Sequence, residues 1–103
     1  MTKGYWIAHV DIDDPAIYQN YVAANAAAFA AYGARFLVRA SEVNEQVEGT
    51  LRSRHVVLEF PTYEAAVACY RSEAYQAAKD IRSRASVGDI VIFEGYDGAQ
   101  PGD

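Results

Sequence analysis

Three residues of this chain have the chemistry of an acid-base set: His9, Arg39 and Glu59. A histidine beside a carboxylate moves protons near neutral pH, and a guanidinium can hold the enolate or carboxylate that proton transfer leaves behind. A second set is aromatic with polar tips. Trp6, Tyr21, Asn25, Tyr70 and Tyr75, with Tyr18 beside them, combine flat apolar rings with a few hydrogen-bonding groups, which suits a small, flat, apolar ligand. The first set supplies the candidate catalytic residues and the second the candidate ligand-binding residues. Each has a plainer competitor: charges that pair across a subunit interface, and tyrosines that only fill a core.

Other chemistries lack their residues. There is no glycine-rich phosphate loop, no Cys or His pair at metal-ligand spacing and no nucleophile elbow, so neither a cofactor nor a metal is expected. His55 and Glu59 share a strand face, but four residues of strand separate them by roughly 13 Å, too far to ligate one ion. Cys69, the only cysteine, falls on an alanine-rich helix, where a small core residue is expected rather than a reactive thiol.

The elements that must position these residues read as follows. Residues 4 to 12 form a strand with Trp6, Ala8, Val10 and Ile12 on one face and Tyr5, Ile7, His9 and Asp11 on the other. Asp14 caps a helix with Pro15 in its first turn, and an apolar stripe, interrupted by Asn25, carries it to about Tyr32 before Gly33 stops it. Residues 34 to 40 give the second strand, with Phe36 and Val38 on one side and Arg35, Leu37 and Arg39 on the other. A polar connection from Ser41 to Gly49 leads to the strand Arg54 to Phe60, which Pro61 ends and Thr62 follows as the next helix cap. That helical region breaks at Arg71-Ser72, because the serine hydroxyl favours a cap over a helix interior, and the break sets Tyr70 and Tyr75 at the mouth of any helix-sheet cavity. Ala85 to Gly88 reads as a turn, and Asp89 to Tyr96 as the last strand.

The order β-α-β-β-α-β closes, with right-handed crossovers, into an α+β ferredoxin-like sheet of order 4-1-3-2 with the helices on one face. Its helix-free face then carries His9, Arg39, Glu59 and Glu94 among Ile7, Leu37, Val57 and Ile92, with His9 and Glu59 able to approach across neighbouring strands. One domain, residues 1–98, is expected, followed by a tail of residues 99–103.

With 51% hydrophobic and 22% charged residues, the chain is globular in composition. A net charge of −5 argues against nucleic acid, and the third strand lacks the glycine-aromatic motif of RNA-binding ferredoxin-like sheets. No apolar run is long enough to span a membrane, and no signal peptide is apparent; a cytoplasmic protein is expected.

Several segments also resemble a known family. Gly4-Tyr5-Trp6-Ile7-Ala8, Tyr32 to Arg39, Val57 to Pro61, Cys69-Tyr70-Arg71-Ser72 with Tyr75, and Glu94 to Gly98 are similar, in order over residues 4 to about 98, to a bacterial family of unknown function in the dimeric α/β-barrel superfamily. The resemblance implies a homodimer in which two sheets face each other with the helices outside. It carries over no catalytic residue. More distant relatives in that superfamily include cofactor-free monooxygenases, muconolactone-type isomerases and heme-dependent enzymes. Two functions are therefore carried forward: a cofactor-independent monooxygenase- or isomerase-like enzyme acting on a small, flat, apolar substrate, and a non-catalytic small-molecule-binding or stress-associated homodimer.

Overall fold

The computed structural model describes residues 2–103; Met1, the first residue of the expected domain, lies outside them. In chain order the elements are β1 (Gly4–Ile12), α1 (Pro15–Ala31), β2 (Arg35–Arg39), β3 (Arg54–Phe60), α2 (Tyr63–Arg71), α3 (Glu73–Ala85) and β4 (Ser86–Glu94). Every strand pairing is antiparallel, and the sheet order β2-β3-β1-β4 is the expected 4-1-3-2 counted from the other edge. Among the described residues, no helix is long and apolar enough to cross a membrane.

Local chemistry sets the boundaries. Asp14 accepts from the Ile17 amide at 3.1 Å and Thr62 from the Ala65 amide at 3.0 Å, each satisfying a first-turn donor that the helix itself leaves unpaired. Gly33 follows α1 at φ +72°, where a side chain is disfavoured. At Gly4 the backbone of β1 passes so close to the start of α2 that a Cβ would lie 2.5 Å from the Thr62 carbonyl oxygen.

The second helical region is broken where the sequence places the break. Ser72 has extended backbone angles, φ −65° and ψ 150°; its hydroxyl donates to the Cys69 carbonyl at 2.7 Å and accepts from the Tyr75 amide at 3.2 Å. One side chain thus closes α2 and opens α3. Replacing Ser72 by alanine should destabilise the fold by about 1 kcal/mol, read as a lower urea midpoint with an unchanged m-value.

The core lies between the helices and one face of the sheet: Trp6 and Val10 of β1 and Leu58 and Phe60 of β3 pack with Tyr21 and Phe29 of α1 and with Tyr75 of α3. Ile90 and Ile92 of β4 pack against the same cluster.

Three expectations are corrected. Ala85 to Gly88 is not a turn, because α3 runs to Ala85 and β4 begins at Ser86. The Ala85 carbonyl accepts from the amides of Asp13 and Asp14, and the Ser86 hydroxyl donates to the Arg82 carbonyl, so the helix end is satisfied without a loop. Ile92 and Glu94 do not face away from the helices: Ile92 pairs with Trp6 and Glu94 with Gly4, which leaves Val87, Val91 and Phe93 on the open face. Finally, β2 is irregular. Phe36 pairs with Leu58 but Val38 with Val57, so two residues step past one at Leu37, and the faces of Val38 and Arg39 are exchanged.

Candidate functional site

The β2 bulge decides where a pocket forms. Arg39 pairs with Val56, a helix-side residue, and therefore leaves the open face for the space between α1 and the sheet. Strand alternation brings Arg54 to the same side as Val56 and Leu58. On α3, Tyr75, Ala78, Arg82 and Ala85 recur at helical spacing and are all buried, so an arginine stands in an otherwise apolar stripe. From α1 come Tyr18, Tyr21 and Asn25, all buried. Trp6, Val10 and Ile90 form the apolar floor.

The pocket is narrow and its polar groups are unusual. It encloses about 30 Å³, room for one to a few waters or for one small functional group. Three guanidiniums line it, and each lies over an aromatic ring: Arg39 at 4.2 Å from the Phe36 centroid, Arg54 at 5.1 Å from Tyr18 and Arg82 at 5.8 Å from Tyr21. Among the described residues, no carboxylate lies within ion-pair distance of any of the three. Arg82 is only 9% exposed, and the Nε atoms of both Arg54 and Arg82 are buried without a hydrogen-bond partner. Burial pushes the Tyr18 hydroxyl pKa up, against the pull of Arg54.

Of the ligand-binding candidates, Trp6, Tyr21 and Asn25 line this pocket. Tyr70 and Tyr75 do not stand at its mouth. Tyr75 is fully buried beneath Trp6, with ring centroids 4.8 Å apart, and its hydroxyl shares a 2.7 Å hydrogen bond with that of Tyr21. Tyr70 packs on Trp6 and Tyr75 from the far side, at 5.8 and 5.5 Å. Both support the wall rather than line the space, because the bend at Ser72 turns Tyr75 inward.

The three catalytic candidates are not brought together. His9 pairs with His55, their Nδ1 atoms 2.7 Å apart, so one ring donates to the other. Glu59 lies opposite Tyr5, at the other end of the strand pair, and accepts from Lys3 Nζ at 3.0 Å. Arg39 is on the opposite face. The open face instead holds a polar corner near His9, where Asp11 accepts from the Ser53 amide at 2.9 Å and from Arg52 at 3.0 Å; those contacts hold its carboxyl below the usual carboxylate range, the Ser53 amide foremost.

Arg54 and Arg82 were not singled out by sequence, although both carried a signal: a cation in phase with Val56 and Leu58, and a cation in phase with Tyr75 and Ala78. Cys69 is buried in the core, and burial pushes its thiol up to about 12. Ellman's reagent should therefore leave the native protein unmodified and titrate one thiol only after denaturation.

A four-stranded antiparallel sheet in this order, with helices over one face, defines an α+β protein of ferredoxin-like type. The chain belongs to the family described as a domain of unknown function (DUF1330), which matches residues 3–96. Among solved structures it is similar to a protein of unknown function from Rhodopseudomonas palustris, with TM-score 0.70 and 14% identity over 94% of this chain and 85% of that one. SnoaB, a cofactor-independent oxygenase from Streptomyces nogalater, is similar at TM-score 0.60 and 14% identity, over 95% of this chain and 97% of its own. A dimeric protein of unknown function and ferredoxin-like fold from Bacteroides fragilis is similar at TM-score 0.52 and 13% identity, over 90% and 96%. No curated protein matches the chain. At such identities the likeness is one of fold.

Proposed function

We propose that this protein is a homodimer that binds a small, flat organic molecule in the pocket between α1 and the sheet. The observation that carries the proposal is the pocket itself: an apolar floor of Trp6, Val10 and Ile90 met by Tyr21, by the buried amide of Asn25 and by guanidiniums that have no carboxylate partner, two of which, Arg54 and Arg82, bury an Nε without an acceptor. Buried polar groups without partners cost stability, and a ligand that pairs with them recovers that cost on binding.

Binding is favoured over proton abstraction because the lining has no carboxylate, imidazole or thiol to serve as a base. A second function, cofactor-independent oxygenation, is supported by the fold shared with SnoaB and by cations placed to stabilise a developing enolate or phenolate. It rests on analogy of fold, which does not fix a function. In either case Arg39 acts in this pocket, while His9 and Glu59 belong to the open face and are assigned to the subunit interface.

Crystals soaked with aromatic and lactone fragments test the site. Density between α1 and the sheet, against Trp6 and Tyr21, is expected; fragments that settle only on the open face, or nowhere, would sink the proposal.

A further inference from the structure

The charge of the pocket runs against that of the molecule. Asp and Glu outnumber Lys and Arg by 14 to 9 in the chain, yet the residues around this cavity include three arginines and no acid. The arginines are graded in exposure. Arg82 is nearly sealed, Arg54 is half-buried and Arg39 is open to solvent. A guanidinium is always charged and is rarely buried without a counter-charge, since an unpaired ion in an apolar setting is costly. Arg52, by contrast, is paired with both Asp11 and Asp89 on the open face. Other cations without a carboxylate partner, such as Arg35, Arg71 and Arg84, are exposed to water; the two whose Nε is buried without an acceptor, Arg54 and Arg82, both line the pocket.

Resting on the ligand-binding function above, we infer that the ligand is an anion, and specifically a small organic acid whose carboxylate enters the cavity and is gripped by Arg82 and Arg54, with Arg39 covering the entrance. The planar fork of a guanidinium matches a carboxylate in a bidentate pair, and the fit in size agrees: about 30 Å³ admits a carboxylate-sized head while the ring or chain behind it lies toward the exposed Phe36 and Arg39. A phosphate suits the site less well. The lining has no glycine-rich turn, and its α1 residues come from the body of that helix, so the backbone amides that usually cradle phosphate are missing. Asn25 is placed to donate to the second carboxylate oxygen or to a substituent beside it.

The test follows the fluorescence of Trp6, the single tryptophan, as the purified full chain is titrated with benzoate, benzyl alcohol and inorganic phosphate. Benzoate is expected to bind at least about tenfold more tightly than benzyl alcohol, and Arg82→Gln or Arg54→Gln should erase that preference, a loss of about tenfold to hundredfold in benzoate affinity. The ligand-free Arg82→Gln protein should melt no lower than the parent, because the buried charge it loses has no carboxylate partner and its Nε no acceptor, a cost that outweighs its contact with the Tyr21 ring. Benzyl alcohol binding as tightly as benzoate would overturn the anion inference and leave the pocket standing as a ligand site. Phosphate binding in preference to benzoate would overturn the carboxylate assignment. A preference for benzoate that survives both substitutions would place the acid elsewhere, and no response to either aromatic would refute the inference and the binding function together. If Arg82→Gln fails to fold, its arginine is structural and the inference fails for that residue; Arg54→Gln, on a half-buried strand position, then decides the pocket.

Discussion

Replacing Trp6 by alanine should lower the melting temperature by at least about 12 °C, enough to leave much of the chain unfolded at 37 °C. The indole is 2% exposed and meets four rings: Tyr75 at 4.8 Å, Phe60 at 5.2 Å, Phe29 at 5.4 Å and Tyr70 at 5.8 Å. Those rings come from α3, β3, α1 and α2, so one side chain joins every helix to the sheet. Its Nε1 also donates to the Ala66 carbonyl at 2.9 Å, a buried acceptor that alanine would leave unpaired. Truncating such a residue costs about 3–5 kcal/mol, against a total of about 5–15 kcal/mol for a small domain, and each kcal/mol moves the midpoint of a chain this size by about 4–8 °C. Far-UV circular dichroism on heating reads it directly. A midpoint within a few degrees of the parent would mean that the core is not organised around Trp6.

What the sequence made legible, and what it hid, follows from how each face is specified. β1 alternates cleanly, Trp6-Ile7-Ala8-His9-Val10-Asp11, so a shift by one residue would bury His9 and Asp11, and its phase could be read without structure. β4 contains Ile90-Val91-Ile92-Phe93 and β2 contains Phe36-Leu37-Val38; in both, apolar residues fill either phase. Periodicity is silent there. The choice that put Ile92 on the open face was wrong, and a bulge at Leu37 leaves no trace when the inserted residue is as apolar as its neighbours. That one bulge moved Arg39 from the imagined acid-base face to the pocket. Arg54 and Arg82 were legible in principle, since each stands in phase with buried neighbours, but charged residues in buried stripes are usually assumed to lean outward. The caps at Asp14, Thr62 and Ser72 could be read because a hydroxyl or carboxylate before an apolar stripe has a local use that does not depend on the rest of the fold.

Val91→Asp should convert the proposed dimer to a monomer while leaving the circular dichroism spectrum of the folded chain unchanged. All three helices are used on the Trp6 face, and the opposite face presents Ile7 and Val57 at its centre with Val38, Val87, Val91 and Phe93 around them, the last four between 39% and 54% exposed in the single chain. Such an apolar row is stable in water only when covered, and in a closed dimer the same patch meets itself about a two-fold axis, burying more than about 1,000 Å². Val91 is paired with Ile7 across the β1–β4 ladder and is already half-exposed, so an aspartate there costs the single chain little. In the dimer it would bury an unpaired charge beside Asp89, which projects from the same face. At about 3 kcal/mol per copy, and two copies per isologous interface, dissociation should strengthen by about 10⁴-fold. Light scattering at micromolar concentration should give twice the chain mass for the parent and the chain mass for the variant. A monomeric parent would remove the interface from the proposal; a dimeric Val91→Asp would move it to another surface and leave His9, His55 and Glu59 free for a different role.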